Sequence, residues 1–393
     1  MAEWVERKIS DIGTVVGGAT PSTKKPENYE DGEIAWITPK DLSTFSGRYI
    51  ERGGRNITEI GLKSCSTQLL PPNTVLFSSR APIGYVAIAA NEVCTNQGFK
   101  SVIPNENTDP LFLFYLLKYN KDKIEGMGSG TTFKEVSGNT MKNIVVNVPT
   151  DKKVQEKIAA ILGSIDDKIE ENEQINNNLE QQARAIFANE FLSLDTLPEG
   201  WKQASLIDIA DYLNGLAMQK YRPTADESGI PVLKIKELRQ GCCDDNSELC
   251  SPSIKSDYII HDGDVIFSWS GSLLVDLWCG GICGLNQHLF KVTSSKYDKW
   301  FYYAWTKHHL DRFVAVAADK ATTMGHIKRD ELAKAEVLIP NESDYNRIGA
   351  LLQPIYEMII SNRIENKKLA ATRDTLLPKL MNGEIDMSEV DYE

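Results

Sequence analysis

The 393-residue chain is 41% hydrophobic and 25% charged, which is typical of a globular protein with two or three domains. No apolar run approaches the ~18 residues of a membrane span, and the first residues lack the apolar stretch of a signal peptide, so we expect a cytoplasmic protein. Seven cysteines, an odd number, are then expected to be reduced thiols rather than a disulfide framework.

The net charge of −12 argues against a simple DNA-binding protein, because attraction to phosphates requires a basic surface. The excess charge is unevenly distributed. Residues 1–150 are net neutral and residues 196–340 carry −3, whereas residues 151–195 and 341–393 carry −5 and −4. A basic face on each of the two larger segments is therefore compatible with the sequence. We expect this chain alone to bind DNA weakly and to need a more basic partner protein.

The sequence contains two copies of one pattern, displaced by 190 to 197 residues. The matched pairs follow the same order in both copies: Trp4 and Trp201, Asp11-Ile12 and Asp208-Ile209, Lys40-Asp41-Leu42 and Lys236-Glu237-Leu238, Val75 to Ser78 and Val265 to Ser268, Asn96-Gln97 and Asn286-Gln287, Thr131-Thr132 and Thr322-Thr323, and Val148-Pro149 and Ile339-Pro340. Each copy is longer than a solenoid repeat, so the sequence predicts two domain-sized units.

Within each copy, runs of β-branched and aromatic residues come first and a long helix follows. Residues 33–37, 74–77 and 144–148 are typical of strands, and residues 110–118 and 300–310 are typical of helices between strands. We therefore predict an α+β fold with two pseudo-repeated mixed α/β domains, at 1–150 and 196–340. The predicted long helices span 151–195 and 341–385, and residues 386–393 form a tail.

A seven-residue period marks both long helices. It is carried by Ile158, Ile165, Asn172 and Leu179 in the first helix, and by Ile348, Ile355, Asn362 and Leu369 in the second. Further apolar residues follow these positions at both +3 and +4, which favours a coiled coil. Asp151 and Asn341 are typical helix N-caps. Pairing of the two helices within one chain is the natural inference, but pairing between two chains is also compatible with the pattern.

Both helices place an asparagine at the same position of the period, Asn172 and Asn362. A polar residue in a helix seam costs stability but specifies register, so the two asparagines could pair across a pseudo-twofold axis. The alternative is that each lies on a solvated stripe.

Two similar but non-identical domains held apart by a stiff helical pair would suit the reading of two short targets at a fixed separation. In DNA recognition the spacing of half-sites mirrors the geometry of the protein. Because the copies differ in sequence, the two half-sites are expected to differ as well, with an unread spacer between them.

Several segments resemble the specificity subunits of type I restriction–modification enzymes. The similar segments are Gly17 to Ser22, Ile34 to Leu42, Asn214 to Tyr221, Lys234 to Leu238, Asp264 to Ser272, Gly284 to Phe290, Thr322 to Ile327 and Asp374 to Ile385. The resemblance spans essentially the whole chain, and it depends on the order and duplication of the segments rather than on any single motif.

This resemblance implies target-recognition domains that each read half of a split DNA target, and long helices that pair as an antiparallel coiled coil. It also implies that the helices set the spacer and dock two methyltransferase subunits, and that a motor-nuclease subunit can join. S-adenosylmethionine, ATP and Mg²⁺ would then belong to partner subunits, and this chain would hold no cofactor. The residues agree, because we find no methyltransferase, Walker-type or nuclease motif.

Candidate DNA contacts are loop cations, strand-end hydroxyls and neighbouring aromatic residues. They are Lys24, Lys25, Lys40, Arg48, Arg52, Arg55, Ser79, Arg80, Thr131, Thr132 and Lys134 in the first copy, and Lys220, Tyr221, Arg222, Lys234, Lys236, Ser268, Trp269, Ser270, Thr322, Thr323 and His326 in the second. For the lysines, simple solvation is the competing interpretation, and for the strand ends it is a turn at the edge of the core.

Residues shared by both copies are expected to support the fold or hold phosphates, since two readers of different sequences should differ at base contacts. This applies to Asn96 and Asn286 and to the two Thr-Thr pairs. Arg48, Arg52 and Arg55 have no match in the second copy and are therefore better candidates for base reading.

Five cysteines lie in the second copy, but they lack the paired spacing of a structural zinc site, so we predict no metal. Two further function classes stay open. The chain could be a scaffold that assembles proteins through its helices without DNA, or an enzyme with an unrecognised site, although we find no catalytic cluster.

Overall fold

The computed structural model describes residues 3–130, 134–319, 327 and 329–387. The chain folds as two compact units. One comprises Met1–Glu170 and Leu369–Glu393, and the other comprises Glu171–Lys368. Each unit therefore contains one copy of the sequence repeat together with segments of both long helices.

The first copy carries ten strands and six short helices before the first long helix. The strands are β1 (Trp4–Lys8), β2 (Gly13–Gly17), β3 (Ile34–Ile37), β4 (Tyr49–Ile50), β5 (Arg55–Ile57), β6 (Val75–Ser79), β7 (Ile83–Ala89), β8 (Cys94–Thr95), β9 (Lys100–Pro104) and β10 (Val145–Pro149). The helices are α1 (Ile9–Ile12), α2 (Pro39–Leu42), α3 (Glu59–Lys63), α4 (Pro110–Tyr119), α5 (Lys121–Gly126), α6 (Gly138–Asn143) and the long α7 (Lys152–Phe187), with a 3-10 turn at Pro26–Asn28 and a π-helical turn at Ala188–Leu192 after α7.

The second copy repeats this arrangement in the described residues. Its strands are β11 (Lys202–Ser205), β12 (Asp211–Asn214), β13 (Ile230–Leu233), β14 (Leu249–Cys250), β15 (Ile259–Ile260), β16 (Val265–Ser268), β17 (Leu274–Leu277), β18 (Cys283–Leu285), β19 (Leu289–Thr293) and β20 (Glu336–Ile339). Its helices are α8 (Leu206–Ile209), α9 (Ile235–Gln240), α10 (Lys299–His308), α11 (Leu310–Asp319), α12 (Arg329–Ala333) and the long α13 (Glu342–Met381), with 3-10 turns at Met218–Lys220 and Ser256–Tyr258.

Most strands of the two copies correspond in the described residues, but β4 extends only the sheet of the first copy that contains β2, and β15 extends only the sheet of the second copy that contains β13. The order β2-β9-β6-β7 in the first copy matches β12-β19-β16-β17 in the second, and β5-β3-β8 matches β14-β13-β18. Within these second sheets, β3 and β13 each pair parallel with one neighbour and antiparallel with the other. The pair β1-β10 likewise matches β11-β20. The predicted α+β class and the duplication are thus confirmed.

Each copy has its main core between helices and the sheet that contains β6 or β16. In the first unit, six consecutive residues of α4, Phe112 to Leu117, are buried against that sheet. Asp109 begins this helix, because its carboxylate accepts a hydrogen bond from Phe112 N at 2.7 Å. The second unit buries an aromatic cluster around Trp300, Phe301 and Trp305 of α10.

The long helices begin where the sequence predicts. Asp151 Oδ1 accepts a hydrogen bond from Lys153 N at 2.9 Å before α7, and Asn341 Oδ1 accepts one from Asp344 N at 2.9 Å before α13. Both residues therefore cap the amide groups that have no partner in the first helical turn, as predicted.

The buried stripe of each long helix follows the heptad positions and the +4 positions, rather than +3. On α13, Leu352 and Ile359 are 0% and 1% exposed, whereas Leu351 and Met358 are 46% and 52% exposed. Ile158 and Ile348 are fully buried, and Ile165, Leu179, Ile355 and Leu369 are half-buried. The sequence did not distinguish the two rows, because both contain apolar residues.

Candidate nucleic-acid interface

In the first domain, one carboxylate joins two candidate loops. Asp41 in α2 accepts hydrogen bonds from Thr38 N and Thr38 Oγ1 at 2.7 and 2.6 Å, and from Gly54 N at 2.9 Å. The loop that leads into β5 is therefore fixed to α2. This places Arg52, which is exposed, in the loop that docks next to the exposed Lys40.

An aromatic ring connects this loop to a third segment. The Arg55 guanidinium lies 3.5 Å from the centre of the Tyr29 ring, a cation–π geometry. The Tyr29 hydroxyl donates to Pro21 O at 2.6 Å, which holds the loop that carries the exposed Lys24 and Lys25. We call the five exposed cations Lys24, Lys25, Lys40, Arg52 and Arg55 the first basic cluster. Among the described residues, no carboxylate forms an ion pair with any of them.

The Asn-Gln segment that both copies share forms a turn next to the candidate loops of each domain. Asn96 Oδ1 accepts from Gly98 N at 2.8 Å, and Asn286 Oδ1 accepts from His288 N at 3.2 Å. Both asparagines thus fold their own turn, which confirms the fold-supporting interpretation. A Cβ added at Gly18 would lie 2.2 Å from Thr95 O, and one at Gly215 would lie 2.2 Å from Asn286 O, so only glycine allows this approach.

In the second domain, the corresponding cations are bound to carboxylates. Lys234 and Arg222 both contact Glu248, the latter at 3.1 Å, and Lys236 Nζ lies 3.1 Å from Asp244 Oδ2. The Lys234 ammonium lowers the pKa of Glu248 by hydrogen bonding, and Lys236 lowers that of Asp244. We call Lys220, Tyr221, Arg222, Lys234 and Lys236 the second basic cluster. Its cations at 222, 234 and 236 each form an ion pair within the domain, with two carboxylates shared among the three.

Glu237 in α9 corresponds to Asp41 and has a similar role. It is 3% exposed and accepts hydrogen bonds from Lys234 N at 3.2 Å and from Ser247 Oγ at 3.3 Å. The segment 242–248, which we call the acidic loop, is thereby attached to α9. It occupies the place in the second domain that the arginine loop 48–54 occupies in the first.

The strand-end serines lie inside the fold. Ser79, Ser268 and Ser270 are at most 2% exposed, and Ser79 Oγ donates to Gly98 O at 3.1 Å. Ser268 Oγ donates to Ser272 O at 2.8 Å. Their hydroxyls hold the strand ends together, so the sequence-based assignment of these three as surface contacts is not supported by their burial.

The neighbours of these serines are more accessible. Arg80 is half-buried and lies 3.5 Å from Glu135, which also contacts Lys100 at 3.5 Å, and Lys134 is exposed. In the second domain, Trp269 is half-buried and its Nε1 donates to Asn214 Oδ1 at 3.0 Å. The candidates Thr131, Thr132, Thr322, Thr323 and His326 lie outside the described residues.

Arg48 has a different place from that expected of a base reader. It is 6% exposed, its Nε donates to Glu170 at 3.1 Å and its NH1 donates to Gly163 O at 3.2 Å, with Asp167 as a further partner. Burial acts to lower the pKa of Arg48, but the hydrogen bonds to Glu170 and Asp167 raise it overall. The guanidinium therefore anchors the first domain to α7, and the sequence-based expectation of base contact is not supported by this burial.

A buried polar quartet joins α7 and α13 in the second unit. Asn172 Nδ2 donates to Asn366 Oδ1 at 2.8 Å and also to Glu365 at 2.7 Å, while Asn362 Nδ2 donates to Asn176 Oδ1 at 2.9 Å. Asn172, Asn176 and Asn362 are at most 8% exposed, so they do not form a solvated stripe. The two pairs are equivalent under the 190-residue offset. The asparagines at heptad positions thus bond to residues at +4 positions of the other helix, rather than to each other.

Within this unit the numbering of the paired residues rises on α7 as it falls on α13, so the two segments run antiparallel. Arg363 reinforces the contact, because its guanidinium donates to Glu180 of α7 at 3.1 Å and to Asp276 of β17 at 2.8 Å. In the first unit, Arg373 of α13 donates to Asp166 of α7 at 2.7 Å. Arg363 thus connects α13 to α7 and to the domain in the second unit, and Arg373 connects α13 to α7 in the first unit.

The described residues contain no group of three or more histidine, cysteine, aspartate and glutamate side chains that could hold a metal ion. None of the described helices combines the length and apolar character required to cross a membrane.

The profile of the family described as "Type I restriction modification DNA specificity domain" matches residues 1–181 and 198–371. The chain belongs to this family. Each of the two matches of the specificity family covers one domain and much of the long helix after it, which agrees with the duplication seen in the fold.

Two relatives and one solved structure illustrate the similarity to other specificity subunits. The MjaIX specificity subunit of Methanocaldococcus jannaschii is 34% identical over 99% of this chain and 95% of its own length. The HindI specificity subunit of Haemophilus influenzae is 22% identical over 98% of this chain and 100% of its own length. The crystal structure of the S subunit from M. genitalium aligns with a TM-score of 0.60, covers 96% of both chains at 14% identity, and shows the same fold.

Sequence reasoning missed the residues that organise this specificity subunit. The motif Asn-x3-Asn occurs at 172–176 and again at 362–366, so the quartet could have been found from the repeat offset. The carboxylates Glu248 and Asp244 gave no comparable signal, because their lysine and arginine partners are identified only by the fold.

Proposed function

We propose that this chain is the DNA-binding specificity subunit of a type I restriction–modification complex, and that each domain reads one half of a bipartite DNA target. The duplicated loop cluster carries the proposal. Residues shared between the copies, such as Asn96 and Asn286, fold the loops, whereas the exposed Arg52 and Arg55 have no match in the second copy. A pair of readers for two different half-sites requires this combination of a common frame and different contacts.

The first basic cluster supplies the means of binding in the first domain. Its lysines suit phosphate oxygens, which position a protein on the duplex. Arg52 and Arg55 are exposed and can present a planar fork to guanine O6 and N7, the commonest specific contact in the major groove. We assign phosphate contact to Lys24, Lys25 and Lys40, and base reading to the two arginines.

In the second domain, the same loops present cations that are already bound to carboxylates. Binding to phosphate requires Lys234, Arg222 and Lys236 to leave Glu248 and Asp244. We therefore assign the second domain a weaker electrostatic contribution to DNA affinity. Its aromatic residues Tyr221 and Trp269 are the candidates for apolar contact with bases or sugars.

We propose that α7 and α13 form the antiparallel coiled coil that sets the spacer between half-sites and docks two methyltransferase subunits. The asparagine quartet supports a single antiparallel register, because a shift would leave buried amides unpaired. The exposed row of Leu351 and Met358 on α13 is an apolar surface suited to a protein partner.

In this assembly the catalytic chemistry belongs to the partners. The methyltransferase subunits would bind S-adenosylmethionine and methylate adenine N6. A motor-nuclease subunit would use ATP and Mg²⁺ to make the complex a restriction endonuclease. The net charge of −12 supports the need for partners, because phosphate attraction by this chain alone is weak.

A protein scaffold without DNA recognition is the second candidate. It is favoured by one observation, the exposure of Leu351 and Met358 on a long helix whose opposite face is buried. It gives no reason for the unpaired cations of the first basic cluster, so we rank it below DNA recognition.

The test is to co-express the chain with the methyltransferase subunit and to map adenine methylation across the host genome by single-molecule sequencing. We expect a split motif with a fixed unread spacer. Replacement of residues 1–150 by the corresponding domain of a relative should change only one half of the motif. If the chain forms a stable complex with the methyltransferase subunit but no motif is methylated, the DNA-reading role is refuted and the scaffold function is supported. The surface variant Arg7→Ala is the matched control.

A further inference from the structure

The strands β7 and β17 occupy the same place in the two domains, so their surroundings can be compared residue by residue. Leu76 of β6 pairs with Ala87 of β7, and the matching Ile266 of β16 pairs with Asp276 of β17. Ala87 of the first copy therefore corresponds to Asp276 of the second. At this point of the sheet, each domain contacts the long helix that follows it through charged side chains.

In the first domain, a cation of the domain contacts carboxylates of the helix. Arg48 lies beside β7, because its carbonyl oxygen accepts a hydrogen bond from Ile88 N at 2.8 Å. Its buried guanidinium donates to Glu170 of α7 at 3.1 Å and also contacts Asp167. The domain here supplies the positive charge, and α7 supplies two negative charges.

In the second domain, the signs are exchanged. Asp276 accepts a hydrogen bond from the Arg363 guanidinium of α13 at 2.8 Å, and the same guanidinium donates to Leu277 O at 3.2 Å. Both charged side chains are half-buried. Arg363 also donates to Glu180 of α7 at 3.1 Å, so one cation holds two carboxylates. The domain here supplies the negative charge, and the helix after it supplies the positive charge.

The two long helices differ at the positions where this contact is made. Under the 190-residue offset of the repeat, the three equivalent pairs are Asp167 and Glu357, Glu170 and Ile360, and Glu173 and Arg363. The first helix therefore carries three carboxylates along this stretch, whereas the second carries one carboxylate and one arginine. On the domain side, Arg48 has no match in the second copy, and Asp276 stands where the first copy has the buried Ala87.

We propose that this reversal of charge makes docking selective, so that each domain docks only on its own long helix. A first-copy domain placed before α13 would set Arg48 against Arg363 and offer Ala87 in place of Asp276. A second-copy domain placed before α7 would set Asp276 against Glu170, without an arginine. Like charges in a half-buried contact, or a charge that loses its partner there, are costly because little water reaches them. Each helix thus rejects the wrong domain as well as binding the right one.

Selective docking keeps two different domains in one chain. Under the proposed function, a chain with the same domain in both places would read two identical half-sites. The charge reversal disfavours that chain and so preserves a target whose halves differ. This consequence rests on the proposed function, whereas the docking selectivity itself does not.

The first test uses the full-length chain and asks whether the sign of the charges decides docking. Asp276→Arg and Arg363→Glu each bring like charges together, so each should accelerate amide exchange of β17 and the adjoining part of α13 by about tenfold or more. The double variant gives the second domain the polarity of the first and should restore slow exchange. The exposed Asp257→Arg is the matched control and should leave exchange unchanged. A double variant no better than the worse single variant would overturn the proposal.

The second test places one domain before both helices. In a chain whose residues 196–340 are replaced by a second copy of residues 1–150, Arg48→Glu is introduced before α7 or before α13. Amide exchange is measured on the two long helices, whose peptides differ in sequence. We expect faster exchange of α7 when the substitution meets Glu170, and slower exchange of α13 when it meets Arg363. The exposed Arg52→Glu is the control and should have the same effect in both places. No gain from Arg48→Glu before α13 would overturn the selectivity.

Neither exchange test involves DNA, so their outcome is independent of the proposed function. In the complex with methyltransferase subunits, the chain with two first-copy domains and Arg48→Glu before α13 should methylate a motif with two identical half-sites. A second domain that docks, as judged by slow exchange, but yields no such motif would refute the proposed function and leave the docking selectivity intact.

Discussion

The arginine loop of the first domain and the acidic loop of the second occupy the same place in one fold but carry opposite charge. Residues 48–54 include two arginines and one glutamate, and Arg55 begins the strand that follows, whereas residues 242–248 include two aspartates and one glutamate and no cation. Both loops precede a strand, β5 or β14, that pairs antiparallel with β3 or β13, and both are attached to a carboxylate on the neighbouring short helix, Asp41 or Glu237. The two domains therefore attach this loop in the same way but differ in the charge that the loop carries.

The residues that make the two copies similar in sequence support the fold, whereas the residues that we assign to DNA contact differ between the copies. The positions that the two copies share make backbone contacts, and the positions at which the copies differ determine whether a cation is free of carboxylate partners. Net charge does not show this contrast, because it does not say which charged side chains form ion pairs. Residues 1–150 are net neutral, and residues 196–340 are only slightly negative.

The largest effect is expected from Arg52→Ala combined with Arg55→Ala. If each arginine makes a bidentate base contact, each is worth about 1–3 kcal/mol of discrimination, so the double variant should lose about 2–6 kcal/mol for the first half-site. Binding of the assembled complex to DNA with either half-site altered measures this loss. Arg7→Ala on β1 is the control. An equal loss for both half-sites would remove the distinction between the domains.

Acid is expected to destabilise the second unit through its histidines, since all five histidines lie in residues 196–340. Burial lowers the pKa of His309 to about 4, although its hydrogen bond with Glu336 O acts to raise it. The unfolded chain then binds the proton first, so stability of the second unit is complete above pH ~6.5 and falls as pH drops towards about 4, by roughly 3 kcal/mol in total. Hydrogen exchange measured on peptides of each unit reports it. His309→Gln should flatten this fall, and an unchanged slope would contradict the assignment.

Removal of the acidic partners should make the second domain behave like the first. In Asp244→Asn with Glu248→Gln, three cations lose their carboxylates and become available to phosphate. The slope of log affinity against log salt is expected to steepen by about one to three. Titrations of the assembled complex between low and moderate salt measure this slope. The isosteric Asp245→Asn is the control, and an unchanged slope would show that these cations do not face DNA.

The smallest effects are expected where the copies are the same. Asn96→Ala and Asn286→Ala each remove one hydrogen bond that folds a turn, so each should cost about 0.5–1.5 kcal/mol of stability and the two costs should be similar. Denaturant unfolding followed by hydrogen exchange gives both values. A loss of sequence discrimination from either variant, without loss of stability, would contradict the fold-supporting role.

Much of the architecture follows from sequence because its signals are local or repeated. The caps Asp151 and Asn341 and the strand Val75 to Ser78 with its copy are recognisable from neighbouring residues. The duplication itself predicts that two domains share one fold. The sequence also placed Arg52 and Arg55 in a loop without a match in the second copy, and both are exposed, whereas Arg48 met the same criterion and is buried.

The pairing of side chains could not be predicted in the same way. Arg48 is 122 residues from Glu170, and a loop arginine that is buried against a helix has the same sequence context as one that is exposed. The exposed +3 row of α13 was not separable from the buried +4 row, because Leu351 and Leu352 are the same residue type in adjacent positions. Whether such a side chain is buried or exposed depends on which face of the long helix the domain covers.

Gly18 and Gly215, which let the loops approach the backbone carbonyls of Thr95 and Asn286, bear on how such a protein changes over evolutionary time. Because these loops are held by main-chain atoms, substitutions at their tips leave the attachment intact. A lineage can therefore exchange side chains at the tips of these two loops without first acquiring a compensating mutation elsewhere. The same independence makes the tips suitable places for laboratory libraries, in which many residues are varied while the host domain retains its stability.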